Sequence, residues 1–195
     1  MSNKPHLMLD VGGVLLSNLS PLFWKELPLA EEAVSEPLVK QFKTDIRTPL
    51  WTGQMEEPHF WSWLMQHFPG TDPAVLRSLL FKHLTPLPGL YKLEEWSRRA
   101  DIHLLSNHRA EWIVPILKKE GVTRFLNSVT ISSEVRCCKP GREIYEMAAV
   151  HLNGDGRIVF VDDQEKNFPQ AKRIGWKTIL ADPQGRWMEE IDRLL

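Results

Sequence analysis

The stretch Leu7-Met8-Leu9-Asp10-Val11-Gly12-Gly13-Val14-Leu15 decides how the chain is read. Three consecutive apolar residues that end in an aspartate and a paired-glycine turn have the pattern of a strand buried on both faces, because a strand with one wet face alternates apolar and polar positions. Comparable runs recur at Ile102–Leu105, Ile158–Val161 and Thr178–Leu180, with a weaker one at Val129–Ser132. Between them, apolar residues spaced three and four apart predict helices over about 89–99, 109–120, 141–151 and 165–174. Strands that alternate with helices make an α/β fold, an open parallel sheet with helices on both faces.

The segment 17–86 breaks this alternation. It carries a helical, aromatic pattern with Phe60, Trp61, Trp63, Leu64, Met65 and Phe68 and no convincing strand, so it reads as a helical insertion into a core made of 1–16 and 87–195. Ser17 to Pro21 would form the outgoing hinge and Pro86, Pro88 and Gly89 the return, since proline and glycine punctuate elements. Trp51, Trp61 and Trp63 cluster here, either as the core of the insertion or as an apolar wall for a ligand, with Arg47 and Gln54 as polar groups from the same region.

Composition narrows the range of partners. With 195 residues, 43% hydrophobic residues and a formal net charge of −1, the chain has no basic excess for a nucleic acid to meet. The apolar run 7–16 is too short and too interrupted for a signal or membrane segment. Cys137 and Cys138 are adjacent, a geometry that strains a disulfide, and free thiols fit a reducing cytoplasm. The expected state is a cytoplasmic monomer or homodimer acting on a small molecule, without nucleic acid or membrane.

Ligands of open parallel sheets bind beyond the carboxyl ends of the strands, and the polar residues gather there. The first strand ends in Asp10, the next in Ser106-Asn107, and a later one in Asp162-Asp163. Gly12 and Gly13 remove side chains where the backbone must turn, which exposes N–H groups able to cradle a phosphoryl group while Asp10 attacks it. Ser106 and Asn107 add donors, and Lys139, beside Pro140 at a helix start, adds a positive charge. Asp162 and Asp163 repel one another unless a cation compensates, and a hard divalent ion such as magnesium suits carboxylates and phosphate oxygens together. Asn167 could return as a supporting amide or serve as an N-cap.

In order, LMLDVGGVL, LLSN, CKPGREIY and VFVDDQEKN resemble the four stations of the haloacid-dehalogenase-like hydrolases, and the match spans the chain. The resemblance implies a Rossmann-like core with a small helical cap inserted after the first strand, as in the phosphoglucomutase and haloacid dehalogenase branch. The stretch from Trp51 to Phe60 is similar to that cap's substrate-facing loop. It further implies an aspartyl-phosphate on Asp10, phosphate contacts from Ser106, Asn107 and Lys139, and magnesium held by Asp10, the Gly12 carbonyl and Asp163, with Asp162 assisting directly or through water. The activity so implied is phosphatase action on a small phosphorylated metabolite. One departure stands out: the family's second aspartate, the acid/base two residues after the nucleophile, is Gly12 here, and its loss removes a contribution of roughly 10²- to 10⁴-fold. His108, directly after Asn107, is the candidate substitute and also a candidate phosphate contact. Two alternatives remain open at this point: a 2-haloacid dehalogenase, which needs neither metal nor the second aspartate, and a phosphate-ligand binding or regulatory protein with weak turnover.

Overall fold

The computed structural model describes residues 4–19, 22–27, 32–153 and 156–195, without the side chains of 32–35. Its centre is a five-stranded, all-parallel sheet of β1 (His6–Leu9), β2 (Asp101–Ser106), β3 (Ser128–Ile131), β4 (Ile158–Asp162) and β5 (Lys177–Leu180), in the order β3-β2-β1-β4-β5. Every predicted strand is present. The weak run shifts by one residue, because Ser132 already opens a short helix. In this order the chain leaves β1 toward β2 and β3 and later returns to the other side of β1, so the connections diverge above β1 and β4 and leave a crevice at their carboxyl ends.

Why β1 shows no alternation is visible in its packing, for both of its faces are covered. Leu7 and Leu9 join Ile102, Leu104, Val159 and Val161 under Leu90, Leu93, Ile113 and Trp187, while Met8 joins Leu105 and Phe160 under Ile144, Tyr145 and Phe168. Burial of such side chains contributes roughly 1.5–3 kcal/mol each.

The segment between β1 and β2 is helical, as its sequence pattern predicts. It contains α1 (Leu22–Glu26), α2 (Glu32–Gln41), a π-helical turn (Phe42–Ile46), α3 (Arg47–Trp51), α4 (Glu57–Met65) and α5 (Pro73–His83). These share an aromatic core of Phe23, Trp24, Phe42, Phe60, Trp61 and Trp63. The segment departs and returns along one narrow ribbon: Ser17 N–H donates to the Thr85 carbonyl at 2.8 Å, Leu87 N–H to the Leu15 carbonyl at 2.9 Å, and Leu16 pairs with Pro86. Ser20 and Pro21 of the outgoing connection lie outside the described residues.

Helices α6 (Pro88–Ser97), α7 (Ala110–Lys119), α8 (Ser132–Val135), α9 (Arg142–Ala149), α10 (Phe168–Arg173) and α11 (Arg186–Leu194) complete the sheet layers. The last of these is not among the helices that the periodicity predicts, although Trp187 and Ile191, four residues apart, are its buried face. Among the described residues no helix is long and apolar enough to cross a membrane.

Candidate active site

Strands β1, β2 and β4 are neighbours, so their carboxyl ends deliver Asp10, Ser106-Asn107 and Asp162-Asp163 to one edge of the sheet. Asp10, Asp162 and Asp163 each place one carboxylate oxygen within 4.8 Å of the others. Lys139 sits among them, with Nζ 2.9 Å from Asp10 Oδ2 and 2.6 Å from Asp162 Oδ2, and it is buried like both partners. Three carboxylates therefore face one ammonium.

Burial first, and the imbalance second, set the protonation of Asp10. Burial pushes its pKa up, Lys139 opposes that shift, and the charges of Asp162 and Asp163 add to it, leaving Asp10 at about 7. For Lys139 burial works against the charge, but Asp10 and Asp162 outweigh it and hold the ammonium above its usual range. With all three carboxylates ionised the cluster carries an excess of two negative charges, which one divalent cation cancels.

The carboxylates are not equivalent. Asp162 is saturated: besides Lys139, it accepts from Gln164 N–H at 2.8 Å and from Asn167 Nδ2 at 2.9 Å on both oxygens. Its geometry is that of an anchor for Lys139, and its oxygens are already committed. Asn167 is itself held through its carbonyl by Tyr145 Oη at 2.6 Å. Asp163 is only partly buried and lines the cavity together with Asp10 and Gly12. The cation would thus be held by Asp10, Asp163 and the Gly12 carbonyl, which receives none of the turn's backbone hydrogen bonds.

The paired glycines divide their tasks differently from the expectation. Gly13 N–H is spent on the Leu16 carbonyl at 2.7 Å, and Val11 N–H on Asp10 Oδ1 at 2.6 Å, so Gly13 does not supply a phosphate donor. What Gly13 contributes is a left-handed backbone, φ 71°, and room for Asp163, whose Oδ2 would lie 2.5 Å from a Cβ at this position. Beside Gly12, the space that a side chain would enter is occupied by Asn18, with Oδ1 3.0 Å from the Cβ position. Asn18 Nδ2 donates to Asp163 Oδ2 at 2.8 Å, a contact no sequence motif announced.

Of the remaining predicted groups, Asn107 acts through its side chain as a clamp: Nδ2 donates to the Lys139 carbonyl and Oδ1 accepts from Lys139 N–H, both at 2.8 Å. Ser106 Oγ is buried at the end of β2 without a partner among the described residues, so its hydroxyl is free to donate. His108 lines the cavity, but Arg109 N–H donates to its Nδ1 at 2.9 Å, which fixes the proton of the neutral ring on Nε2. Burial also lowers its pKa to about 4. An uncharged ring with one nitrogen occupied and the other protonated neither takes up nor supplies a proton near pH 7, so the substitute acid/base role does not fit; a hydrogen-bond donor role does.

A cavity of about 560 Å³ opens from this edge toward the helical segment. From the helical segment its lining takes Ser17, Asn18, Leu19 and Trp24 and, within 42–51, Phe42, Lys43, Arg47, Thr48 and Trp51, so of the expected loop from Trp51 to Phe60 only Trp51 takes part. Trp61 and Trp63 belong to the aromatic core, and Gln54 does not line the cavity. The loop after Trp51 is bolted to the sheet layer instead. Buried Arg109 donates to the Met55 carbonyl at 2.7 Å and the Leu50 carbonyl at 3.3 Å, Ser132 Oγ donates to the Trp51 carbonyl at 2.6 Å, and Trp112 Nε1 donates to Glu57 Oε1 at 2.9 Å.

A parallel sheet that gathers an aspartate, a lysine and a carboxylate pair at its switch point has the organisation of an α/β enzyme. The chain belongs to the haloacid dehalogenase-like hydrolases, whose family pattern it matches over residues 6–175. No curated protein matches the sequence significantly. Among solved structures it is similar to a haloacid dehalogenase-family enzyme from Bacteroides thetaiotaomicron, at 18% identity with a TM-score of 0.81 over 97% of this chain and 99% of that one. It is also similar to a predicted haloacid dehalogenase-like hydrolase from Porphyromonas gingivalis, at 19% identity and TM-score 0.77 over 99% and 98%. The L-2-haloacid dehalogenase from Xanthobacter autotrophicus matches less well, at 14% identity and TM-score 0.62 over 96% and 88%. Likeness at this identity establishes a shared fold.

Proposed function

We propose that the chain is a magnesium-dependent phosphatase that acts on a small phosphorylated metabolite through an aspartyl-phosphate on Asp10, with residues 17–86 as its cap. The observation that carries this reading is the cluster of three carboxylates, two of them buried against one lysine, because the double negative excess it carries when all three are ionised calls for a divalent cation and would otherwise repel any anionic substrate. The Bacteroides thetaiotaomicron enzyme has been crystallised with magnesium and with magnesium plus inorganic phosphate, which supports the same assignment here.

When bound, magnesium would neutralise the repulsion between Asp10 and the phosphoryl oxygens and polarise the phosphorus. The protein's own groups do the rest. Val11 N–H and Lys139 fix the two oxygens of Asp10, so the carboxylate is oriented for in-line attack. As the aspartyl oxygen bonds to phosphorus, the ester P–O bond breaks and its electron pair leaves with the alcohol. Ser106 Oγ, the Asn107 backbone N–H, Nε2–H of His108 and Lys139 are the donors available to the phosphoryl oxygens. Gly12 can neither give nor accept a proton, so the leaving oxygen takes one from bulk water, and in the later hydrolysis the attacking water gives its proton up to bulk water as the P–O bond to Asp10 breaks and the carboxylate is regenerated. This favours substrates whose leaving groups are already stabilised.

Gly12 also motivates a second reading, a phosphate-ligand binding or regulatory protein with weak turnover. Phosphate release from the natural protein and from Asp10→Asn separates the two: magnesium-dependent turnover lost in the variant supports the phosphatase, whereas tight binding without release supports the other. The dehalogenase reading, favoured only by fold likeness, predicts halide release from a 2-haloacid in the presence of chelator.

A further inference from the structure

The cavity is lined by groups of both charges. At the sheet edge lie Asp10 and Asp163, the only carboxylates among the described residues that line it. Lys43, Arg47 and Lys166 line it as well, from two separate parts of the chain, the π-turn with α3 and the turn after β4, and Arg47 and Lys166 both lie close enough to Cys138 to act on its thiol. The same lining includes the aromatic rings of Trp24, Phe42 and Trp51, in which Trp24 and Phe42 lie 4.7 Å apart and Trp51 lies 5.1 Å from the His108 ring.

Some basic groups on the surface have acidic neighbours, as in Lys82 with Glu26, Arg98 with Glu94 and Arg142 with Glu146, and others, such as Lys118, Arg124 and Lys172, are exposed without one among the described residues. The basic groups of the cavity are of the second kind: among the described residues none of Lys43, Arg47 and Lys166 has a carboxylate within 4.0 Å. Three like charges that line one concavity without a paired carboxylate repel one another, and an anion held there relieves the repulsion. Their proximity is also felt at Cys138, where burial raises the thiol pKa while Arg47 and Lys166 pull it down. The backbone supports the arrangement. A π-helical turn is rare and often found at functional sites, and here it precedes α3 so that Lys43, Arg47 and Trp51, four residues apart, all line the cavity.

From this lining we propose that Lys43, Arg47 and Lys166 form a subsite for a second anionic group of the substrate. The metabolite would be a phosphate ester that carries a further carboxylate or phosphate, joined to the reacting phosphoryl group by a planar or apolar segment that lies against Trp51 and Phe42. The inference rests on the phosphatase reading for the direction in which the substrate lies, with its phosphoryl group at Asp10.

The test uses two aryl esters of nearly equal leaving-group strength and size, 4-(carboxymethyl)phenyl phosphate and its amide, 4-(carbamoylmethyl)phenyl phosphate. For each, kcat/KM is measured with magnesium, and Kd by calorimetry on Asp10→Asn with magnesium. The expected preference for the carboxylate is about tenfold or more, equivalent to roughly 1.4 kcal/mol, and it shrinks as salt screens the exposed charges. In Arg47→Gln/Lys166→Gln, whose altered residues are both exposed so that folding is spared, the ratio falls to within about twofold. A ratio near one in the natural protein, or a preference that survives the double substitution, overturns the subsite. If neither ester is hydrolysed the phosphatase reading fails, and the Kd ratio still decides the subsite by the same criterion.

Discussion

Lys139→Met is the substitution that most sharply probes the buried cluster. The methionine keeps nearly the same length and can still pack against Phe160, whose ring centroid lies 5.5 Å from Nζ, but it deletes the ammonium placed 2.9 Å from Asp10 and 2.6 Å from Asp162. Removing one partner of a buried ion pair costs about 3–5 kcal/mol, because the remaining charge is left without compensation. Asp10, already at about 7, can take a proton and limit the loss, so the lower end of that range, about 3 kcal/mol, is expected at pH 7. For a chain of this size each kcal/mol moves Tm by about 2–4 °C, so the transition should fall by roughly 6–12 °C. Adding Asp162→Asn removes the stranded charge while an Asn oxygen can still accept from Gln164 N–H, so the double variant should recover stability relative to the sum of the singles by at least about 1 kcal/mol. Urea and thermal unfolding of the three variants without metal measure this. A Lys139→Met protein within about 1 kcal/mol of the natural one, or strict additivity in the cycle, would refute the electrostatic account of the site.

Three further outcomes follow from the same geometry. Magnesium competes with the proton on Asp10, whose pKa is raised to about 7, so its apparent affinity should fall about tenfold per pH unit below that value and level off above it; calorimetry across pH 5–9 that finds no dependence contradicts the assignment. Asn18→Ala unties Asp163 and should weaken magnesium binding by about tenfold while stability changes by less than about 1 kcal/mol, so unchanged affinity in a titration removes Asn18 from the site. Gly53 has φ 66° and a Cβ there would overlap the Ser133 carbonyl, so Gly53→Ala should cost about 1–3 kcal/mol in chemical unfolding; a cost below about 0.5 kcal/mol would mean the loop is not pinned as described.

The sheet was legible because its strands are buried on both faces and therefore read as unbroken apolar runs, from Leu7-Met8-Leu9 to Ile158–Val161. The grouping of Asp10, Ser106-Asn107, Lys139 and Asp162-Asp163 was legible for a related reason: in a parallel sheet strand ends share an edge, so position along the chain converts into position in space. The division of labour within that group was not. Whether Asp162 or Asp163 remains free depends on where Lys139, Gln164 and Asn167 point, and the use of Gly13 N–H depends on the path of one turn. The cavity wall was misplaced toward Trp51–Phe60 because helix packing inside an aromatic-rich insertion is tertiary: the π-turn turns 42–51 to the cavity, while Arg109, from the other layer, fastens the next loop away from it. Helix α11 carried a signal in the spacing of Trp187 and Ile191, but over only nine residues.

The central claim, that Asp10 is a nucleophile toward phosphorus in a magnesium-dependent site, is tested most directly by phosphate release from a panel of phosphorylated metabolites, with and without magnesium, by the natural protein and by Asp10→Asn. The account predicts turnover that requires magnesium and vanishes in the variant, with a preference for esters that bear a second negative charge. Release that persists in Asp10→Asn, or that is indifferent to magnesium, would contradict it.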